Sequence, residues 1–134
     1  MTRGRWVIIT KRGIYASIEF NGDMYYRGGH GEEVVKILKK VKGLTDFKRE
    51  LLKFNDKHFG YRGLDEINAW CRKADLDLRK KTYFENFNWF SDYLYFKNLT
   101  KEDVYITNYY GRKYVLHPNE IAIYNYGCKT NYKL

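Results

Sequence analysis

Apolar residues recur at every second position through four stretches in the last third of the chain: Leu94 and Phe96, Val104 and Ile106, Tyr114 and Leu116, Ile121 and Ile123. A period of two belongs to strands with distinct faces. Asn98 to Asp103, Tyr109-Tyr110-Gly111 and His117-Pro118-Asn119 separate these runs and carry the Gly, Pro, Asn or Asp that chain reversal favours. Together they predict an antiparallel meander over Ser91 to Gly127. The chain opens in the same manner. Arg5 to Thr10 is apolar enough for a buried strand, Ile14 to Asn21 alternates, Asn21-Gly22-Asp23 is a strong hairpin signal, and Met24 to Arg27 follows as a third strand.

The period changes in the middle. Val34, Val35, Leu38 and Val41 form a helical stripe, with Glu32 and Glu33 in the first turn, lysines in the last and Gly43 just beyond. A second helix is expected from about Thr45 to Lys57 with Phe47, Leu51 and Phe54 on one face, and a third, shorter one from about Asp65 to Ala74 presenting Ile67, Trp70 and Cys71. Asp75 to Phe90 reads as extended structure entering the C-terminal sheet. The order of elements predicts an α+β domain, in which N-terminal and C-terminal strand meanders form an antiparallel sheet and two to three central helices pack on it.

At 134 residues and 44% hydrophobic, the chain suits a single domain over residues 1–134, large enough to bury a core without metals or disulfides. The two cysteines, Cys71 and Cys128, have no ligand or disulfide-framework spacing. Apolar runs are too short for a membrane span, so a cytoplasmic protein with no membrane partner is expected, its tail frayed after Gly127.

The alternate positions of the C-terminal strands change the picture. If Leu94, Phe96, Val104, Ile106 and Ile123 point inward, the other face carries Tyr93, Tyr95, Tyr105, Thr107, Tyr109, Tyr124 and Tyr126. Such a face is either a second packing layer under the helices or a binding surface, since tyrosine offers a flat ring and a polar tip at small entropic cost. Aromatic stripes are more often core than site.

Charge adds a second theme. The net charge is +9, with nine Lys or Arg against four acids in residues 1–42, ten against seven in 43–81 and six against five in 82–134. A basic excess favours polyanionic partners, or simply solubility. Basic grooves combined with stacking rings hold single-stranded nucleic acid, and the candidates here are Arg3, Arg5, Lys11, Arg12 and Arg27, then Arg79, Lys80 and Lys81, with Tyr93, Tyr95, Tyr105, Tyr109 and Tyr110 from the sheet. A protein-binding surface would use the same arginines and tyrosines with Trp70 and Trp89 as anchors, and a self-associating homodimer is a further option.

Catalytic signatures are absent from the sequence. Gly28-Gly29-His30-Gly31 enters the first helix as a phosphate-binding loop would, but it matches neither a P-loop nor GxGxxG, and Glu32 and Glu33 would repel a phosphate. His30, His58 and His117 each stand alone in a turn-like segment, without HExxH, GxSxG or clustered metal ligands. No metal, cofactor or catalytic residue is therefore expected.

Strand-turn-strand openings such as RGIYASIEFNGDMYYRGGHGEEVVKILKKV, in a short chain heavy in Lys, Asn and Tyr, resemble the small accessory proteins of phages and mobile elements of AT-rich bacteria, anti-CRISPR and other anti-defence proteins among them. This resemblance implies a non-enzymatic antagonist acting in the host cytoplasm on a host protein or ribonucleoprotein complex. Its basic charge would then meet guide RNA, DNA or an acidic protein patch. The alternatives are an RNA- or DNA-binding accessory protein and, third, a small nuclease or nucleotide-binding protein.

Overall fold

Arg3–Thr10 forms strand β1, which lies at the centre of a mixed seven-stranded sheet because its run of Trp6, Val7, Ile8 and Ile9 is buried on both faces. The computed structural model describes residues 2–61, 72–74, 91–107 and 110–134, residues 72–74 and 107 by backbone alone. After β1 come β2 (Gly13–Ala16), β3 (Phe20–Asn21), helices α1 (Gly31–Lys40) and α2 (Leu44–His58), and β4 (Arg72–Ala74). The C-terminal part holds β5 (Tyr93–Asn98), β6 (Val104–Thr107), β7 (Lys113–Leu116), β8 (Ile121–Asn125) and β9 (Cys128–Lys129). The sheet runs β4-β2-β1-β5-β8-β9, with β3 also pairing on β1.

The α+β content matches the sequence pattern, whereas the expected all-antiparallel sheet does not. β1 and β5 are parallel, with Trp6 opposite Tyr95 and Ile8 opposite Lys97. Nor is the C-terminal part a simple meander: β5 pairs directly with β8, and β6 and β7 leave the sheet as a separate hairpin. That hairpin has its own task. Val104, Ile106 and Leu116 pack on Val7, Ile9, Leu94, Phe96 and Tyr124, which closes the face of the sheet opposite the helices.

The other face lies under α1 and α2. Val34, Val35 and Leu38 of α1 and Phe47, Leu51 and Phe54 of α2 meet Trp6, Ile8, Phe20, Tyr93, Tyr95 and Ile123. Trp6 is the hub, with ring centroids 4.9 Å from Phe54 and 6.2 Å from Phe47. Both faces of the sheet are therefore core, and every residue of β5 is buried.

Register corrects the expected faces. Residues opposite one another in an antiparallel pair share a face, and β8 sets Ile123 opposite Tyr95 and Tyr124 opposite Leu94. Ile123 thus belongs with the tyrosines under the helices, and Tyr124 with the aliphatic residues under the hairpin.

Met24 to Arg27 is not a strand. Its backbone instead serves α1, whose N-cap, His30, makes no side-chain cap. The N–H groups of His30, Gly31 and Glu32 donate to the carbonyls of Asp23, Tyr25 and Tyr26 at 2.7, 2.9 and 3.1 Å. Gly31 permits this close approach, since a Cβ there would strike the Tyr95 hydroxyl and Tyr26 Cα.

The expected third helix also needs revision at its end, because Arg72–Ala74 pairs antiparallel with β2; the remainder of that helix and the stretch 75–90 lie outside the described residues. The tail past Gly127 is packed rather than frayed. Tyr126 and Gly127, at φ 50° and 76°, form the turn into β9, and the Tyr132 ring lies 4.6 Å from that of Tyr26 with the Arg27 guanidinium 5.7 Å away. Among the described residues no helix is long and apolar enough to cross a membrane.

Candidate functional site

The burial of the sheet disperses most of the expected tyrosine surface. Tyr93 and Tyr95 are 7% and 0% exposed, with burial pushing both phenols above their usual range and the Tyr95 hydroxyl donating to the Met24 carbonyl at 2.5 Å. Tyr105 is half-buried and Tyr110 is 67% exposed. Tyr109, Trp70, Trp89, Arg79, Lys80 and Lys81 lie outside the described residues.

Basic residues divide between the two ends of β1. At its start, Arg3 faces Glu19 and Asp92 at 3.7 and 3.8 Å, while Arg5 faces Glu19 at 3.9 Å and donates to the Ser17 carbonyl. These guanidiniums are engaged with carboxylates. Roughly 25 Å away, at the strand's other end, Lys11 and Arg12 of the β1–β2 turn are exposed. Arg27 is elsewhere again, over Tyr132.

Lys11 and Arg12 have a partner that the sequence did not group with them. They line a cleft of about 360 Å3 with Thr10, Tyr15, Leu44 and Lys42, the last of these from the α1–α2 junction. Among the described residues that line it, three are cations and none is a carboxylate. Lys39 and Lys40, exposed in the last turn of α1, extend the positive charge along the chain towards it. The nearest acid along the chain, Asp46, turns back to accept the Lys42 N–H at 3.0 Å, the principal cause holding its carboxyl below the usual range.

At the opposite end of the two helices the structure assembles a second cluster. His30 at the N-cap of α1, Glu33 one turn later and His58 at the last position of α2 place ligating atoms within 4.8 Å of one another. The imidazole centroids of His30 and His58 are 4.2 Å apart. Phe54 packs beside both rings, its centroid 5.7 Å from His30 and 4.9 Å from His58, and Phe59 lies 5.6 Å from His30. Glu33 Oε2 meets His58 Nε2 at 2.5 Å, and Oε1 accepts from Lys57 Nζ at 2.7 Å. Burial alone would raise the Glu33 pKa, but these two hydrogen bonds outweigh it and hold the carboxyl below its usual range. The His30 pKa is lowered by burial first and by His58 next.

Sequence reading missed this cluster because it treated the three histidines singly. His117 is indeed apart, bonded to Asp103 at 2.9 Å. The available signal was the His30-x-x-Glu33 spacing, which puts both groups on one face of the first helical turn. No such signal exists for His58, which arrives through tertiary packing. In the phosphate-type loop, the N–H groups of His30, Gly31 and Glu32 are committed to the carbonyls of Asp23, Tyr25 and Tyr26.

No family model, curated protein or solved structure matches the chain.

Proposed function

We propose that this protein is a non-enzymatic binding protein of the host cytoplasm, a phage-type antagonist that occupies the phosphate backbone of a nucleic acid held by a host nucleic-acid-handling or defence complex. The observation that carries the reading is the cleft of Lys11, Arg12 and Lys42, where three cations from two separate turns converge and no carboxylate stands among the described lining residues. Phosphates are held by such groups without base recognition. Tyr15 in the cleft supplies a ring on which a base can stack. With Tyr93 and Tyr95 under the helices, charge rather than a tyrosine face bears the recognition.

Labelled single-stranded and duplex probes titrated across a salt series test this. Binding should weaken steeply with salt, and Lys11→Ala/Arg12→Ala/Lys42→Ala should flatten the log–log slope by about two to three on duplex. Undiminished binding by the triple variant, or none by the wild type at low salt, removes the reading.

A further inference from the structure

We propose that His30, Glu33 and His58 form a binding site for a divalent transition-metal ion, zinc foremost, with one coordination position open to water. Two imidazoles and a carboxylate are the donor set that borderline ions of this class select over magnesium or calcium. Their ligating atoms lie within 4.8 Å of one another, and in a tetrahedral site with bonds of about 2.1 Å they would stand about 3.4 Å apart, a closure that side-chain rotation supplies. Both backbones are anchored independently of any ion: His30 by its N–H to the Asp23 carbonyl, His58 by its place in the last turn of α2.

The surroundings suit a ligand shell. Phe54 lies beside both rings and Phe59 beside that of His30, giving the ligands an apolar flank. Glu33 has two oxygens with different neighbours. Oε1 remains with Lys57 as an outer-shell hydrogen bond, while Oε2 exchanges His58 for the metal. His58 then carries its proton on Nδ1 and presents Nε2, and any second proton it held is released to solvent. With Glu33 and His58 side chains 33% and 19% exposed, an ion has access and water can take the remaining position.

This site is independent of the cleft, which lies at the other end of the helix pair. Its test uses zinc chloride and cobalt chloride on the full chain. Zinc should bind one to one by calorimetry and raise Tm, with magnesium giving neither. Cobalt should give the visible absorption of a four-coordinate ion and should paramagnetically shift the ring resonances of His30 and His58 but not of His117, a readout that needs no variant. His58→Gln, Glu33→Gln and His30→Ala, each checked for native circular dichroism, should weaken zinc by about tenfold or more. The proposal is overturned if zinc produces neither heat nor a Tm change at about a hundredfold excess over protein, if cobalt shifts His117 in place of His30 and His58, or if folded variants bind as the wild type does.

Discussion

Asn98 illustrates how much one side chain can settle. It is fully buried at the end of β5, where Nδ2 donates to the carbonyls of Glu102, Leu116 and His117 at 2.8, 3.0 and 3.1 Å. Its Oδ1 accepts from the Thr100 N–H and hydroxyl, so one amide ties the sheet to the β6–β7 hairpin. Asn98→Asp would set a carboxylate against three carbonyls; we expect a loss of at least about 3 kcal/mol by urea unfolding, and a smaller one for Asn98→Ala. Tyr95 and Tyr124 make a pH prediction. Burial, and then neighbouring tyrosines for Tyr95 and Glu120 for Tyr124, push both phenols well above the usual 10.0. A raised folded-state pKa contributes stability that is full below the unfolded value and is lost as pH rises, because the unfolded chain ionises first. Tm should therefore fall as pH climbs beyond 10.0, and less steeply in Tyr95→Phe, which also forfeits about 1 kcal/mol with the Met24 hydrogen bond.

At the scale of elements, α1 is stabilised from outside at both ends. The 23–26 loop supplies acceptors for its first N–H groups, and Lys97 of β5 supplies donors for its last carbonyls. Lys97 is 4% exposed, and its ammonium donates to the carbonyls of Leu38 and Val41 at 2.6 and 2.8 Å, with that of Lys39 at 3.3 Å. Burial, then Lys42, lowers its pKa, while the helix C-terminus is where a cation is best placed. Lys97→Met should cost about 2 kcal/mol and raise hydrogen exchange in the last turn of α1 ahead of α2. The sequence does not single out Lys97. Its partner carbonyls are more than fifty residues away, and no local pattern encodes them. Helices α1 and α2, by contrast, were legible almost to the residue, since a stripe such as Phe47, Leu51 and Phe54 is written in consecutive turns.

At the scale of the molecule, the described residues form three layers: two helices, a mixed sheet and a hairpin. The helix pair carries the cation-lined cleft at the α1–α2 junction and the His30–Glu33–His58 cluster at its far end, about 15 Å along α1. Sites so separated and sharing no side chain should behave additively. The triple cleft variant is expected to keep wild-type zinc affinity, and His58→Gln to keep the wild-type salt slope for nucleic acid, both measured by titration. Coupling in either direction would mean that the helix pair moves as a switch.

The sequence by itself determined where α1, α2 and the longer strands lie, though not the 24–27 loop or β4, because the periods of two and 3.6 are local properties of neighbouring side chains. It also announced that β5 has two unlike faces, one aliphatic and one tyrosine-rich. Which faces would be covered was decided only in three dimensions. A period of two separates two faces without saying whether the second meets water, helices or a hairpin, and the register of β8 alone assigned Ile123 and Tyr124 to their sides. The parallel pairing of β1 with β5 and the meeting of His30 with His58 are of the same kind. Each joins residues distant in the chain through the packing of helices on a sheet, and that packing is the sum of many apolar contacts rather than a signal at any one position.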